Sequence, residues 1–285
     1  MIPIDTSAET KNCQIVLAKI NDKESIAIVD TPGFDDSHHK SDTEILAEVT
    51  DLLVLQHECG INLKGIIYFH RIIDPKMPRS AQRYLNMFQL LCGDEAMTNV
   101  IVATTMWSKL ANKTEGYVRQ QELRDKMWRR METLGSFVGA YDGTAEMAEQ
   151  MIMDLASKQH VVLQIQREIC IQGWLLDETA AGKSIAAELE QSVRDTRDQL
   201  SILDERIAQA YSAEANSRFN RERQIIEQRV EHQSIGRKRL KKNTWAEVSA
   251  KIEKTRKLDF KDGLAIFAVI IGTTVNIVLH FLPIG

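Results

Sequence analysis

Residues 25–36 read Ser-Ile-Ala-Ile-Val-Asp-Thr-Pro-Gly-Phe-Asp-Asp, and the parsing of the whole chain follows from them. Ile26, Ile28 and Val29 make a short β-favouring run, and Pro32-Gly33 ends it, since proline lacks a backbone donor. An acid closing a buried strand, here Asp30, can hold Mg²⁺ directly or through water. Three residues on, Gly33 has no Cβ, so its backbone N–H can approach a phosphate. That pairing is the physics of the DxxG element of nucleotide-triphosphate switches, in which phosphate contacts order a loop. DxxG alone is common by chance; DTPGFDD directly after SIAIV is far more specific.

Working outward, Cys13–Ile20 (CQIVLAKI) is a second β-rich run, joined to Ser25–Val29 by the hairpin-like Asn21-Asp22-Lys23-Glu24. Downstream, strand and helix patterns alternate: Asp42–His57 helix, Lys64–His70 strand, Ser80–Cys92 helix, Asn99–Thr105 strand, Glu115–Leu134 helix, Ser136–Ala140 strand and Thr144–Lys158 helix. One antiparallel hairpin followed by βα alternation predicts an α/β domain with a mostly parallel sheet and helices on both faces. Ligands in such sheets bind at the carboxyl ends of strands, which directs attention to the loops after Val29, His70, Thr104 and Ala140.

The composition is consistent with this. The 285 residues carry 36 Lys+Arg, 40 Asp+Glu, a net charge of −4 and 44% hydrophobic residues, which excludes a disordered tract or fibrous repeat. Cys13, Cys59, Cys92 and Cys170 form no CxxC or Cys/His sequence cluster, so a disulfide scaffold is not expected and the compartment reads as reducing. The N-terminal residues have neither a basic start nor an apolar core, so they do not read as a secretory signal.

The C-terminal half has another texture. Ala145 to Lys257 is proline-free and helical in pattern, and Val193, Thr196, Leu200, Leu203, Ile207 and Ala210 form a seam of about two and a half heptads. Such a short seam suits a coiled coil and packing on a neighbouring element equally. Arg218 to Lys257 holds thirteen basic and five acidic residues, including Arg237-Lys238-Arg239-Leu240-Lys241-Lys242. Leu264 to Leu282 is then 19 residues without Asp, Glu, Lys or Arg. A helix of that length nearly matches a hydrocarbon core of about 30 Å, and basic residues beside it suit anionic headgroups. The expectation is a C-terminal tail anchor with the rest of the chain cytoplasmic; a buried terminal helix is the alternative. Thr273, Thr274, Asn276 and His280 count against the anchor. The expected organisation is a partial G domain over residues 1–160, a basic, coiled-coil-like stalk over 161–262 and a transmembrane segment over 264–282.

VDTPGFDDS, KGIIYFHRI, MFQLLCGDEA and NVIVATTMWSKL, in this order and spacing, resemble a fungal family of G-domain proteins related to the septin-like and immunity-associated GTPases. The resemblance covers roughly residues 1–185, including the DETAAGKS segment. It implies a Ras-like P-loop NTPase fold, GTP with Mg²⁺ as ligand, Asp30 as the Mg²⁺-associated acid, Gly33 as the γ-phosphate contact and Thr10 as the switch threonine on the metal. It also implies that Thr104 and Thr105 lead into a guanine-reading loop containing Ser108, and that Asp142 and Gly143 lie in the last base-side loop. Dimerisation across the nucleotide face is implied as well.

Two departures qualify it. The GxxxxGK[ST] loop that cradles phosphates is absent before Asp30, where residues 1–29 contain no glycine. The chain is therefore expected to lack the first strand, the phosphate loop and the first helix, and to hydrolyse GTP poorly. In the Ras-like order the missing strand would separate Ser25–Val29 from Lys64–His70, leaving two strand edges to pair, to remain open or to take another chain. Gly182-Lys183-Ser184 does not replace the loop, because Asp177 stands where its first glycine is required. Second, Ser108 occupies the position of a guanine-reading acid and offers one neutral hydrogen bond in place of two charge-assisted ones.

Other side chains are weaker candidates. His38 and His39 are placed either to meet a nucleotide or metal or to lie in a solvated switch loop, and Asp35 and Asp36 either to position water or, more commonly for such residues, to cap the next helix. His70 and Trp107 are placed either to touch a base or to pack at the edge of the core. Expected partners are GTP or GDP held weakly, a membrane, and a second copy through the G domain or the stalk. Nothing suggests nucleic-acid reading, since the basic stretch has few interleaved aromatics. The competing reading is a catalytically silent, membrane-tethered interaction module.

Overall fold

The computed structural model describes residues 13–19, 25–31, 41–74, 77–209, 212–257 and 262–271. Strands β1 (Gln14–Lys19) and β2 (Ser25–Asp30) pair antiparallel, with Gln14 opposite Asp30 and Lys19 opposite Ser25. Helix α1 (Asp42–Glu58) follows, opened by Ser41, whose hydroxyl accepts from the Glu44 N–H while the Glu44 carboxylate accepts from the Ser41 N–H. The chain then alternates: β3 (Ile66–Arg71), α2 (Arg79–Cys92), β4 (Val100–Thr105), α3 (Lys113–Leu123), a π-turn over Arg124–Trp128, α4 (Arg129–Thr133), β5 (Phe137–Ala140) and α5 (Ala145–Ala156).

Strand β4 is central in a parallel sheet of order β3-β4-β5, with Ile66 opposite Val100 and Ile101 opposite Phe137. The two-residue alternation of strands sorts the side chains onto two faces. Ile66, Tyr68, Val100, Val102 and Val138 join the main core with Leu46, Val54 and Leu55 of α1 and Leu85, Phe88 and Leu91 of α2. Ile67, Ile101 and Ala103 face the other way, onto Met147, Met151 and Leu155 of α5. The fold is thus mixed α/β, with helices on both faces of a small parallel sheet, as the alternation predicts.

Of the arrangements left open for the hairpin edge, direct pairing with the parallel sheet is not observed among the described residues. β1 and β2 form their own two-stranded sheet, and β2 shares no ladder with β3 among the described residues. A strand edge exchanges hydrogen bonds only with a neighbour one strand spacing away, and among the described residues β2 has that neighbour in β1 alone. The hairpin is held by α1 instead: the Cys13 N–H donates to Glu48 Oε1 at 3.2 Å, and Ile15 and Val29 pack on the core.

The proline-free stretch is interrupted. Short helix α6 (Gln164–Gln166) runs into a π-turn over Arg167–Ile171, and Gly173 reverses the chain at φ +75°. Then come α7 (Ala180–Ala208), α8 (Ala213–Leu240), α9 (Thr244–Arg256) and α10 (Gly263–Ile271). Helices α7 and α8 form an antiparallel pair: Gln233 Nε2 donates to Ser192 Oγ at 2.9 Å and Thr196 Oγ1 at 3.0 Å, and Arg223 meets Asp204 at 3.2 Å. The heptad-like seam through Thr196 thus meets a helix of the same chain. Gln166 ties the connector to α1, donating to the Leu53 carbonyl at 2.8 Å and Gln56 Oε1 at 2.7 Å.

Helices α8, α9 and α10 return to α1. Gly236 lies over Thr43, and Arg239 approaches Glu44 at 4.0 Å. Asp51 of α1 faces Lys251, Lys242 and Arg239, although burial outweighs their charge and pushes its carboxyl up. Part of the basic stretch therefore answers acids of α1, while Lys238 and Lys241 stay exposed. Gly263 sits on the Cys59 carbonyl, where any Cβ would overlap it, and Ile266 and Phe267 are buried in the core. No helix among the described residues is long and apolar enough to cross a membrane.

Candidate functional site at the carboxyl edge of the sheet

Thr104 organises this edge. Its hydroxyl, buried at the end of β4, donates to the Gly139 carbonyl at 3.2 Å and accepts from Trp107 Nε1 at 3.0 Å and Gln120 Nε2 at 3.1 Å. The Thr104 carbonyl also accepts from Trp107 Nε1 at 3.0 Å and from the Tyr141 N–H at 2.8 Å. One residue thus joins the loop after β4 to the loop after β5. Thr105 reaches the other way, donating from Oγ1 to the His70 carbonyl at 3.4 Å, while its own carbonyl takes the Ile72 N–H at 3.0 Å.

Beyond Thr105 the chain turns through Met106, the one non-glycine among the described residues with positive φ, at +65°. The turn Trp107–Lys109 closes with the Lys109 N–H on the Met106 carbonyl at 3.0 Å. Trp107 is buried against Tyr117, ring centroids 4.9 Å apart, so it packs beneath the turn; Ser108 is left exposed on the outside of the turn.

The neighbouring loop is built around Asp142. Its Oδ1 accepts from the Thr144 N–H at 2.8 Å and the Thr144 hydroxyl at 2.6 Å, and these bonds hold the carboxyl below the usual carboxylate range. Gly143 stands at φ +89° with nothing around the place of its missing side chain, and Thr144 caps α5 by accepting from the Met147 N–H. Thr104 and Thr105 thus end β4, and the loops that carry Ser108 and Asp142-Gly143 share Thr104 as their anchor.

Asp30 is exposed at the end of β2, in the other sheet. Thr10, Gly33, Asp35, Asp36, His38 and His39 lie outside the described residues. His70 is a core-edge histidine: it is buried edge-on against Trp128 at 5.5 Å, and burial pushes its pKa down, with Arg71 adding and Asp74 opposing. Gly182-Lys183-Ser184 is the first turn of α7, where the Gly182 N–H is taken by the Thr179 hydroxyl at 2.9 Å and Lys183 lies over the Trp174 ring at 5.3 Å. This segment opens a helix and follows no strand.

Arg119 was not a sequence candidate. From α3 it donates to the carbonyls of Ile72 at 3.3 Å and Ile73 at 3.1 Å, fixing the loop after β3, while Glu115 one turn earlier meets it at 3.3 Å. The Glu115–Arg119 spacing was visible in sequence; the carbonyls it serves were not. On the α5 face of the sheet, Phe69 and Phe137 remain 57% and 58% exposed, and Phe69 tilts against Tyr141 at 6.2 Å. Two concavities among the described residues, about 440 and 310 Å³, lie elsewhere, between α2 and α7 and between α2 and α6.

No protein-family model matches this chain, and no curated protein matches it.

Proposed function

We propose that this protein is a guanine-nucleotide-binding protein of the G-domain type, Ras-like in plan, that holds GTP or GDP weakly and hydrolyses GTP poorly. The observation that carries the reading is the coupling at Thr104, which draws the Thr104–Lys109 and Asp142–Thr144 loops to one end of a parallel sheet. In a sheet of this kind that end is where ligands bind. Ser108 offers a base one neutral hydrogen bond, and exposed Gly143 leaves room for close approach of the backbone. The exposed carboxylate of Asp30 is a hard oxygen donor of the type Mg²⁺ takes, with Thr10 the second candidate ligand. Mg²⁺ would supply neutralisation of phosphate charge. The chain offers no GxxxxGK[ST] segment to cradle phosphates, hence the weak hydrolysis.

Titration of the full chain with labelled GTP and ATP in Mg²⁺ tests this. Saturable micromolar GTP binding that weakens in Asp30→Ala, with little turnover, supports it. Brisk Mg²⁺-dependent turnover lost in Asp30→Ala contradicts the hydrolysis claim, and no saturable binding contradicts the whole reading.

A second reading has its own observation. Phe69 and Phe137 are exposed together on one sheet face, and the hairpin shares no ladder with that sheet. Both features suit a catalytically silent module whose sheet surface meets a partner. In either case we infer a tether through residues 264–282; a fluorescent fusion lacking Leu264–Gly285 should become soluble, and unchanged partitioning removes the tether.

A further inference from the structure

At the far end of α1, away from the loops just described, three metal-capable side chains converge. His57 and Glu58 end that helix, and Cys170 lies more than a hundred residues later on the π-turn Arg167–Ile171. One donor atom from each lies within 4.8 Å of the other two, the one such group among the described residues. We propose that His57, Glu58 and Cys170 bind a divalent transition-metal ion of the zinc class.

The geometry is close to what such an ion needs. Bonds of about 2.0–2.3 Å in a tetrahedron put donors about 3.3–3.8 Å apart. The His57 Nδ1 to Glu58 Oε1 separation is already 3.3 Å, and the two separations to Cys170 Sγ are within 4.8 Å. The three groups are half-buried, so the ion is shielded without being sealed, and three protein ligands leave a fourth position for water.

The donor set selects the metal. One imidazole nitrogen, one thiolate and one carboxylate suit zinc and its neighbours, whereas calcium and magnesium favour all-oxygen shells. Glu58 and a Cys170 thiolate together balance a dication. The carbonyl end of α1 adds partial negative charge, and π-turns of the kind that presents Cys170 recur at functional sites. Without metal, burial and the adjacent Glu58 push the Cys170 thiol up to about 12. Binding displaces the thiol proton to solvent as the sulfur–metal bond forms.

Such an ion would clip the end of α1 to the connector after the sheet. Cys59, the next residue, carries on its carbonyl the Gly263 contact that seats α10. The site is independent of the nucleotide reading.

The test uses the full chain, stripped with a chelator and given Zn²⁺ alone, with Co²⁺ as the spectroscopic probe. About one equivalent of zinc should be retained on dialysis, the melting temperature should rise, and Co²⁺ should give a thiolate charge-transfer band. Cys170→Ser should abolish that band and weaken zinc binding about tenfold or more, as should His57→Gln. Cys59→Ser, which removes the neighbouring thiol outside the cluster, should change neither. No retained zinc, or uptake and cobalt spectra unchanged in Cys170→Ser and His57→Gln, overturns the proposal. If circular dichroism finds Cys170→Ser unfolded, His57→Gln and Glu58→Gln at their part-exposed positions decide.

Discussion

Replacing Ser108 by Asp puts a charge where the guanine-reading proposal requires one. Ser108 is exposed on a turn closed by the Lys109–Met106 backbone bond and by Trp107 beneath it, so the substitution disturbs no buried contact. Folding stability should change by no more than about 0.5 kcal/mol. For the ligand, the serine hydroxyl contributes about 0.5–1.5 kcal/mol through one neutral bond, whereas a carboxylate accepting from two guanine N–H groups contributes about 1.5–3 kcal/mol for each. Exposure of the turn favours the low end, a net gain of about 1.5–3 kcal/mol, which converts to roughly 10- to 150-fold tighter GTP. Adenine lacks that donor pair and gains nothing, so the GTP-over-ATP ratio should rise by the same factor. Competition of GTP and ATP against a fluorescent guanine nucleotide, at fixed Mg²⁺ and salt, measures it. Equal ratios in the two proteins, with both folded, would refute the assignment of the turn to base reading.

Thr104→Val keeps the shape of the anchor and removes its hydroxyl, deleting the bonds it makes to the Gly139 carbonyl, the Trp107 indole and the Gln120 amide; a loss of about 1–3 kcal/mol in urea unfolding is expected, largely restored in Thr104→Ser. His70 has a folded pKa below its unfolded value of about 6.5, so the unfolded chain binds more protons as pH falls below that value. The protein should lose stability there at up to about 1.4 kcal/mol per pH unit until the folded pKa is reached, and the advantage of wild type over His70→Asn should shrink between pH 7.5 and 5. Gly263→Val drives a branched side chain into the Cys59 carbonyl and should cost about 1–3 kcal/mol while exposing the segment after Arg256 to limited proteolysis.

The strands and helices of residues 13–156 were legible because their periodicities are clean. Ile66 to Arg71 and Val100 to Thr105 are bounded apolar runs, and the helices between them carry clear amphipathic spacing or caps such as Ser41-Glu44 and Thr144. The separate hairpin was less legible, because a strand's sequence specifies which face is apolar and not which edge is paired. After Ala156 the pattern misled in another way. A proline-free stretch reads as continuous helix, while Gly173 and the Thr179 cap, spaced close together, break it. At the site, Asp142 and Ser108 could be placed on loops from their neighbours. The anchoring hydroxyl of Thr104 and the reach of Arg119 depend on tertiary distances between β4, α3 and β5, which no local pattern encodes.

The way α10 begins bears on what the apolar C-terminus can do. Ile266 and Phe267 are buried in the same core as α1 and the sheet, and burial of side chains of this size contributes about 1.5–3 kcal/mol each. Drawing both into a bilayer would give up those contacts, about 3–6 kcal/mol as an upper figure, and regain a similar transfer energy from lipid. The exchange is nearly balanced, so the outcome turns on the smaller terms beside it. Lys238 and Lys241 are exposed and would attract anionic headgroups, if a membrane is the partner, by about 1 kcal/mol each, whereas Arg239 is engaged near Glu44 and Lys242 near Glu247. The Gly263 seat on Cys59 weighs against release, and a metal ion on His57, Glu58 and Cys170 would hold the end of α1 on which that seat is built. Association with membranes should therefore grow with anionic lipid content and shrink when zinc is bound, a coupling that neither an always-inserted span nor a permanently buried helix would give.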